Sequence, residues 1–183
     1  MGKIIALISL VLVLVLVNIS ILKKENQLAN GKIAYLALAP VDPRSLIQGD
    51  YMALRFGISS NINRALQDYD EFGNRIYPKS AEDGYIIVKL DNKKIASFKA
   101  LYTNQKLSDD ELLMRYRVRD GEVKFATNAF FFQEGTAKYY ERARYGEFRV
   151  DDSGELLLVG LYDENLTKLE PPMDATNIQE EVR

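Results

Sequence analysis

The chain of 183 residues contains no histidine, no cysteine and no tryptophan. Without histidine or cysteine there is no Ser-His-Asp triad, no thiol nucleophile, no histidine zinc site, no haem ligation through either residue and no iron–sulfur cluster. The missing cysteines also exclude disulfides. What remains open to such a chain is serine–lysine or paired-carboxylate chemistry, or oxygen-ligated Ca²⁺ and Mg²⁺. Charge of one sign is lacking too: acids and bases are interspersed, which argues against a nucleic-acid partner. No Gly-rich phosphate loop, internal repeat or low-complexity segment is present.

Charge is wholly absent from Ile4 to Leu22, where only Ser9, Asn18 and Ser20 are polar. Nineteen residues at about 1.5 Å each reach roughly 28 Å, enough for a hydrocarbon core of about 30 Å. The stretch is apolar on every side, unlike a surface helix with one apolar stripe. Its end, Asn18 to Lys24, offers no small-x-small cleavage site of the kind that follows a signal peptide. Residues 4–22 are therefore expected to be an uncleaved transmembrane anchor. Lysines flank it on both sides, Lys3 before and Lys23–Lys24 after, so charge bias does not select a side. The short preceding stub favours a domain outside the cytoplasm, which in a bacterium means a periplasmic or outer-surface domain on the cytoplasmic membrane.

Beyond the anchor, Glu25 to Asn30 is expected to be a polar linker closed by Gly31. Strands are expected over Lys32–Pro40, Tyr51–Ile58, Tyr85–Leu90, Ile95–Tyr102, Leu112–Arg119, Glu122–Ala126, Phe148–Val150 and Leu156–Tyr162. Turns at Asp91–Lys93, Asp120-Gly121 and Asp151–Gly154 join three hairpins. Short helices are expected over Asn61–Asp68, with Asn61 as N-cap, and over Thr136–Arg144. Phe130-Phe131-Phe132 is a continuous apolar run, expected to be buried. The polar, proline-broken residues 171–183 are expected to be a disordered tail. The fold class is then α+β and mainly antiparallel β, a partly open barrel being one arrangement, over a single domain at 32–168.

The segment Gly49-Asp50-Tyr51-Met52-Ala53-Leu54-Arg55-Phe56 matches the pattern that names the bacterial GDYXXLXY protein family, with Phe56 where the pattern has Tyr. Asp42-Pro43-Arg44-Ser45-Leu46, Phe131-Phe132-Gln133-Glu134-Gly135, Glu141-Arg142-Ala143 and Gly160-Leu161 are also similar to that family. The resemblance covers most of residues 32 to 163. It implies an N-terminal span and companionship with a multi-pass membrane protein, and it implies no cofactor or activity.

Read physically, Gly49-Asp50 makes a turn into a strand. Tyr51, Ala53 and Arg55 then share one face, and Met52, Leu54 and Phe56 the other. Asp42, Arg44 and Asp50 form either an ion-paired turn or, with Gly49, Tyr51 and Arg55, one side of a binding groove. Glu134 and Gly135 begin a second polar-aromatic cluster, with Tyr139, Tyr140, Glu141, Arg142 and Arg144, which is either the solvent side of a helix packed on a sheet or a partner-binding face. The leading expectation is a non-enzymatic, membrane-anchored domain that binds or supports a membrane-protein partner. An envelope ligand-binding or sensor domain is the alternative.

A third option is hydrolytic. Leu46-x-x-Gly49-Asp50 after a span resembles the signal peptidase family, whose serine stands eight residues before the glycine. That position is Val41 here. Only Ser45, paired with a desolvated Lys89, could substitute. Asp68 to Lys79 starts like a Ca²⁺ loop but has Phe72 and Lys79 where oxygen ligands are needed, so no metal is expected.

Overall fold

A computed structural model describes residues 2–39, 47–48, 51–69, 75–76, 81–127 and 129–172. Helix α1 (Gly2–Asn30) is followed by β1 (Lys32–Ala37), β2 (Ile47–Gln48), β3 (Tyr51–Ala53), α2 (Ser59–Ala65), β4 (Asp68–Tyr69) and β5 (Arg75–Ile76). Then come β6 (Ala81–Leu90), β7 (Ala96–Leu101), β8 (Glu111–Arg119), β9 (Glu122–Lys124), β10 (Ala129–Phe131), β11 (Tyr145–Val150) and β12 (Leu156–Tyr162). A single 3₁₀ turn, Ala137–Tyr139, precedes β11.

Among the described residues the named strands pair antiparallel, an isolated Tyr35–Ile95 bridge being parallel, and the sheets run β7-β6-β8-β9, β1-β11-β12 and β10-β3-β2, with a β4-β5 ribbon. The four-stranded sheet curls so that its two edge strands, β7 and β9, both contact α2, which makes it a half-barrel. Register shifts at Ile87/Val88 and Glu147/Phe148 are bulges that add the local twist such curling requires. Tyr35 joins the sheets, donating its backbone N–H to Lys94 O at 2.9 Å. The fold class is as expected: mainly antiparallel β with an N-terminal helix long and apolar enough to cross a membrane.

Three turns share one construction. Asp91, Asp151 and Asp163 each use Oδ1 to accept the backbone N–H groups two and four residues on, at 2.8–2.9 Å. The residue three positions after each aspartate, Lys94, Gly154 or Leu166, has positive φ. A short carboxylate that mimics a backbone acceptor makes these turns local products of the sequence.

The core is shared between the sheets. Met52, Leu54 and Phe56 from the signature segment are buried among Leu36, Ile62, Met114, Phe125, Phe148 and Leu161. The Phe56 ring lies edge-on to Phe125 at 5.7 Å and to Phe148 at 5.4 Å. A tyrosine there would need a partner for a hydroxyl placed inside this aromatic cluster, so phenylalanine suits the position.

Several expectations need correction. Residues 25–30 are not a linker, because α1 runs unbroken to Asn30. The reason is tertiary. Gln27 is 4% exposed and its Nε2 donates to Arg149 O at 3.1 Å and Glu155 O at 2.7 Å, while Lys24 Nζ donates to Gln27 Oε1 at 2.9 Å. Gly31 ends the helix where a Cβ would lie 2.4 Å from Gln27 O and 3.1 Å from Arg149 Cβ, so only glycine lets chain and sheet approach this closely.

The second helix starts at Ser59 rather than Asn61, and no side chain caps it. Thr136–Arg144 yields only the 3₁₀ turn, since Thr136 folds back with Oγ1 donating to Gln133 O at 2.6 Å. Residues 173–183 of the tail expected at 171–183, and 70–74 and 77–79 of the Ca²⁺-like segment at 68–79, lie outside the described residues.

Candidate functional site

The two most distinctive sequence segments, about 80 residues apart, meet in one small sheet. β10 pairs with β3 in the register Phe131↔Tyr51, Phe130↔Met52 and Ala129↔Ala53. Side chains alternate across a strand, so Tyr51, Ala53 and Arg55 share a face with Phe131 and Ala129. Burial agrees with that alternation. Met52, Leu54 and Phe56 are buried, Tyr51 and Ala53 half-buried, and Arg55 exposed.

The expectation that the whole phenylalanine run is buried fails at its centre. Phe131 is 73% exposed, with its ring 5.7 Å from that of Tyr51. Phe130 and Phe132 instead pack on Tyr140, at 5.1 and 5.2 Å. The cause is strand alternation: the register that turns Phe130 inward must turn Phe131 out.

The outer face of this sheet therefore carries an aromatic pair, then the small Ala53/Ala129 pair, then a charged end. There Arg55 Nη2 stands 3.7 Å from Glu122 Oε1, with both side chains largely in solvent. Such an exposed pair contributes little to stability. Beside it a groove of about 260 Å³ runs between Arg55 and the β8–β9 turn, with Ser59, Ser60, Asn63, Glu122 and Lys124 on its walls. Asn63 Oδ1 is closed off from solvent there without a hydrogen-bond partner.

Of the residues picked out from the sequence, Tyr51 and Arg55 lie on this face. Glu134 and Gly135 follow the exposed end of β10 in a tight turn, where Gly135 has φ +78° and Thr136 N donates to Gln133 O at 3.1 Å. Gly135 is thus the residue that permits the turn, and Glu134 is its solvent-facing neighbour. Asp42, Arg44, Gly49 and Asp50 lie outside the described residues, as does Ser45.

Lys89 does not have the surroundings that the hydrolytic option requires. Its side chain is 62% exposed and Nζ lies 3.2 Å from Asp110 Oδ2, so it is a hydrated surface ion pair, not a desolvated base.

Sequence reasoning passed over a buried polar cluster on β11. Glu147 is buried, its Oε2 accepts from Tyr35 Oη at 3.4 Å, and its Oε1 lies 3.5 Å from Arg149 Nε. Burial, together with the Glu147 carboxylate, pushes the phenols of Tyr35 and Tyr162 above their ordinary range. The rings of Tyr35 and Tyr162 meet edge-on at 5.1 Å. The sequence signal was an acid and a base, Glu147 and Arg149, two residues apart in one strand, and the cluster ties β1, β11 and β12 together.

Fold and site together define an antiparallel β domain behind an apolar helix, with its most distinctive residues gathered on one outward sheet face. The chain belongs to the GDYXXLXY protein family, whose model matches residues 13–161, from within α1 to the end of β12. No curated relative and no solved structure matches the chain.

Proposed function

We propose that this chain is a membrane-anchored, non-enzymatic domain that binds a multi-pass membrane protein through the outer face of the β10-β3-β2 sheet. The observation that carries this reading is Phe131, which leaves a large ring in water beside Tyr51 where the two motifs pair. Burying a phenylalanine is worth roughly 1.5–3 kcal/mol, and aromatic side chains are the usual anchors of protein interfaces. The flat Ala53/Ala129 centre would let a partner approach closely, and the Arg55–Glu122 end gives a polar rim. Tethering by α1 holds this face at high local concentration near an integral membrane partner, so a modest contact suffices.

The test is crosslinking and purification of the full chain from its native membranes, comparing wild type with Phe131→Ser. The expected result is a stoichiometric multi-pass protein recovered with wild type and lost with the variant, at an unchanged melting temperature. Recovery of the wild-type chain alone would sink the reading.

The 260 Å³ groove favours a second reading, an envelope sensor for a small polar ligand held by Arg55, Ser59, Asn63 and Lys124. Protection of Asn63→Ala and wild type alike from thermal unfolding by candidate ligands would count against that reading.

A further inference from the structure

We propose that an anionic phospholipid binds at the junction of α1 and the domain, its phosphate on Lys24 and Arg117 and an acyl chain along α1. This inference rests on α1 crossing a membrane, and it is independent of the partner-binding reading.

Two adjoining hollows share Lys24. The first is an apolar groove of about 570 Å³ along one face of α1, lined by Leu16, Val17, Ser20, Ile21 and Leu28 and closed by Leu157 of β12. The second is a cavity of about 170 Å³ lined by Lys24, Arg115, Arg117, Phe125, Glu155 and Leu156. Lys24 borders both, so the apolar hollow and the cationic one meet at its side chain.

Position along the helix decides the ligand. Lys24 is two residues beyond Leu22, about 3 Å along the axis. The headgroup layer on each side of the hydrocarbon core is roughly 5–8 Å deep. Arg115 and Arg117 border the same small cavity as Lys24, so all three cations stand at the depth of lipid phosphates. The part of the groove from Leu16 to Ile21 lies below, at the depth of the acyl chains, and Leu28 and Leu157 continue it on the domain side of Lys24.

Charge accounting points the same way. The cavity's one carboxylate, Glu155, is already held by Arg115 Nη1 at 2.6 Å, and Arg115 Nη2 also reaches Asp83 at 2.9 Å. Lys24 Nζ meets the neutral Gln27 Oε1, and Arg117 Nη2 meets only the carbonyl of Ala126, at 3.4 Å. Among the described residues neither Lys24 nor Arg117 has a carboxylate partner. Glu25, next to Lys24 in the chain, lines the groove but not the cationic cavity. Two uncompensated cations at phosphate depth select a headgroup with net negative charge, and arginine matches a phosphate with two parallel donors. The Gln27 lock fixes this geometry by holding helix and sheet together.

The experiment uses the full chain in nanodiscs of phosphatidylcholine doped with phosphatidylglycerol, extracted gently and read by native mass spectrometry for retained lipid. Wild type is expected to retain phosphatidylglycerol in preference to phosphatidylcholine. Arg117→Gln should cut that preference about tenfold, and Lys24→Gln with Arg117→Gln should abolish it. The exposed Lys106→Gln should leave it unchanged. Arg117 is exposed, so its single substitution tests the site even if the double variant fails to fold. Leu157→Asp should weaken retention without affecting binding of inorganic phosphate, tested as a competitor. Equal retention in wild type and Arg117→Gln would overturn the proposal. Complete displacement of lipid by inorganic phosphate would also do so, because the site would then hold a free anion without an acyl chain.

Discussion

Gln27 is polar and 4% exposed, whereas Phe131 is apolar and 73% exposed. The two residues invert the usual distribution, and they do so for different reasons. Gln27 tolerates burial because its amide is satisfied on both sides, by Lys24 and by two strand carbonyls. Among the described residues Phe131 has one ring contact, with Tyr51, and it is largely in water. A buried polar group that is fully hydrogen-bonded is a joint, fixing two elements in one geometry. An exposed aromatic on a short sheet contributes little to its own fold and is available to something else. The N-terminal helix is thus tied to the domain by satisfied hydrogen bonds, while the signature sheet leaves an aromatic ring exposed.

The joint should be the easier region to break. Gly31→Ala places a Cβ against backbone that cannot move aside, and should cost about 3 kcal/mol or undock α1 from β11–β12. Denaturant unfolding of the full chain in detergent checks this, and a loss below about 1 kcal/mol would show that the joint gives way freely. Gln27→Ala removes the side-chain donor to the Arg149 carbonyl and one of two donors to the Glu155 carbonyl, which keeps the Asp151 N–H, and should cost about 2 kcal/mol. Hydrogen exchange at Gly31 and along β11 should rise with it.

A smaller effect is expected at Asp83, on the face of β6 that meets Arg115 and Arg119 on β8. Arg115 first, then Arg119, holds its carboxyl below the usual carboxylate range. A depressed folded pKa contributes stability above the unfolded value of about 3.9, and that contribution disappears as pH falls through the folded value. Wild type should therefore lose melting temperature faster than Asp83→Asn below about pH 4. Parallel acid limbs for the two proteins would refute the assignment.

The smallest effect on stability belongs to Phe131. Phe131→Ser should change folding by less than about 0.5 kcal/mol, as surface substitutions do. A larger loss by thermal unfolding would mean that the ring is structural, and the contrast with Gln27 would collapse.

Much of this could be read along the chain. The run from Ile4 to Leu22 is a span by length and apolarity, because backbone hydrogen bonds in lipid must close locally. Alternation in Tyr51–Phe56 assigned Met52, Leu54 and Phe56 to the core correctly, since one strand carries that information by itself. Aspartate turns at Asp91 and Asp151 are legible for the same reason, and the turn at Asp163 is built alike. The family resemblance, too, came from a contiguous motif.

What failed depended on partners far away in sequence. Glu25 to Asn30 is polar and would not hold a helix in water on its own. It does so because Gln27 meets carbonyls 122 and 128 residues later. Three consecutive phenylalanines give no clue to which one faces out, because the pairing with β3 fixes that register. Lys89 sits in an apolar strand sequence, yet Asp110 and the sheet's outer surface keep it hydrated. The sequence by itself determined the anchor, the strand faces and the local turns, all set by interactions within a few residues. Only the tertiary structure decided that the anchor is locked to the domain, that Phe131 is presented beside Tyr51, and that Lys24 shares a cavity with Arg117, because each depends on surfaces brought together from opposite ends of the chain.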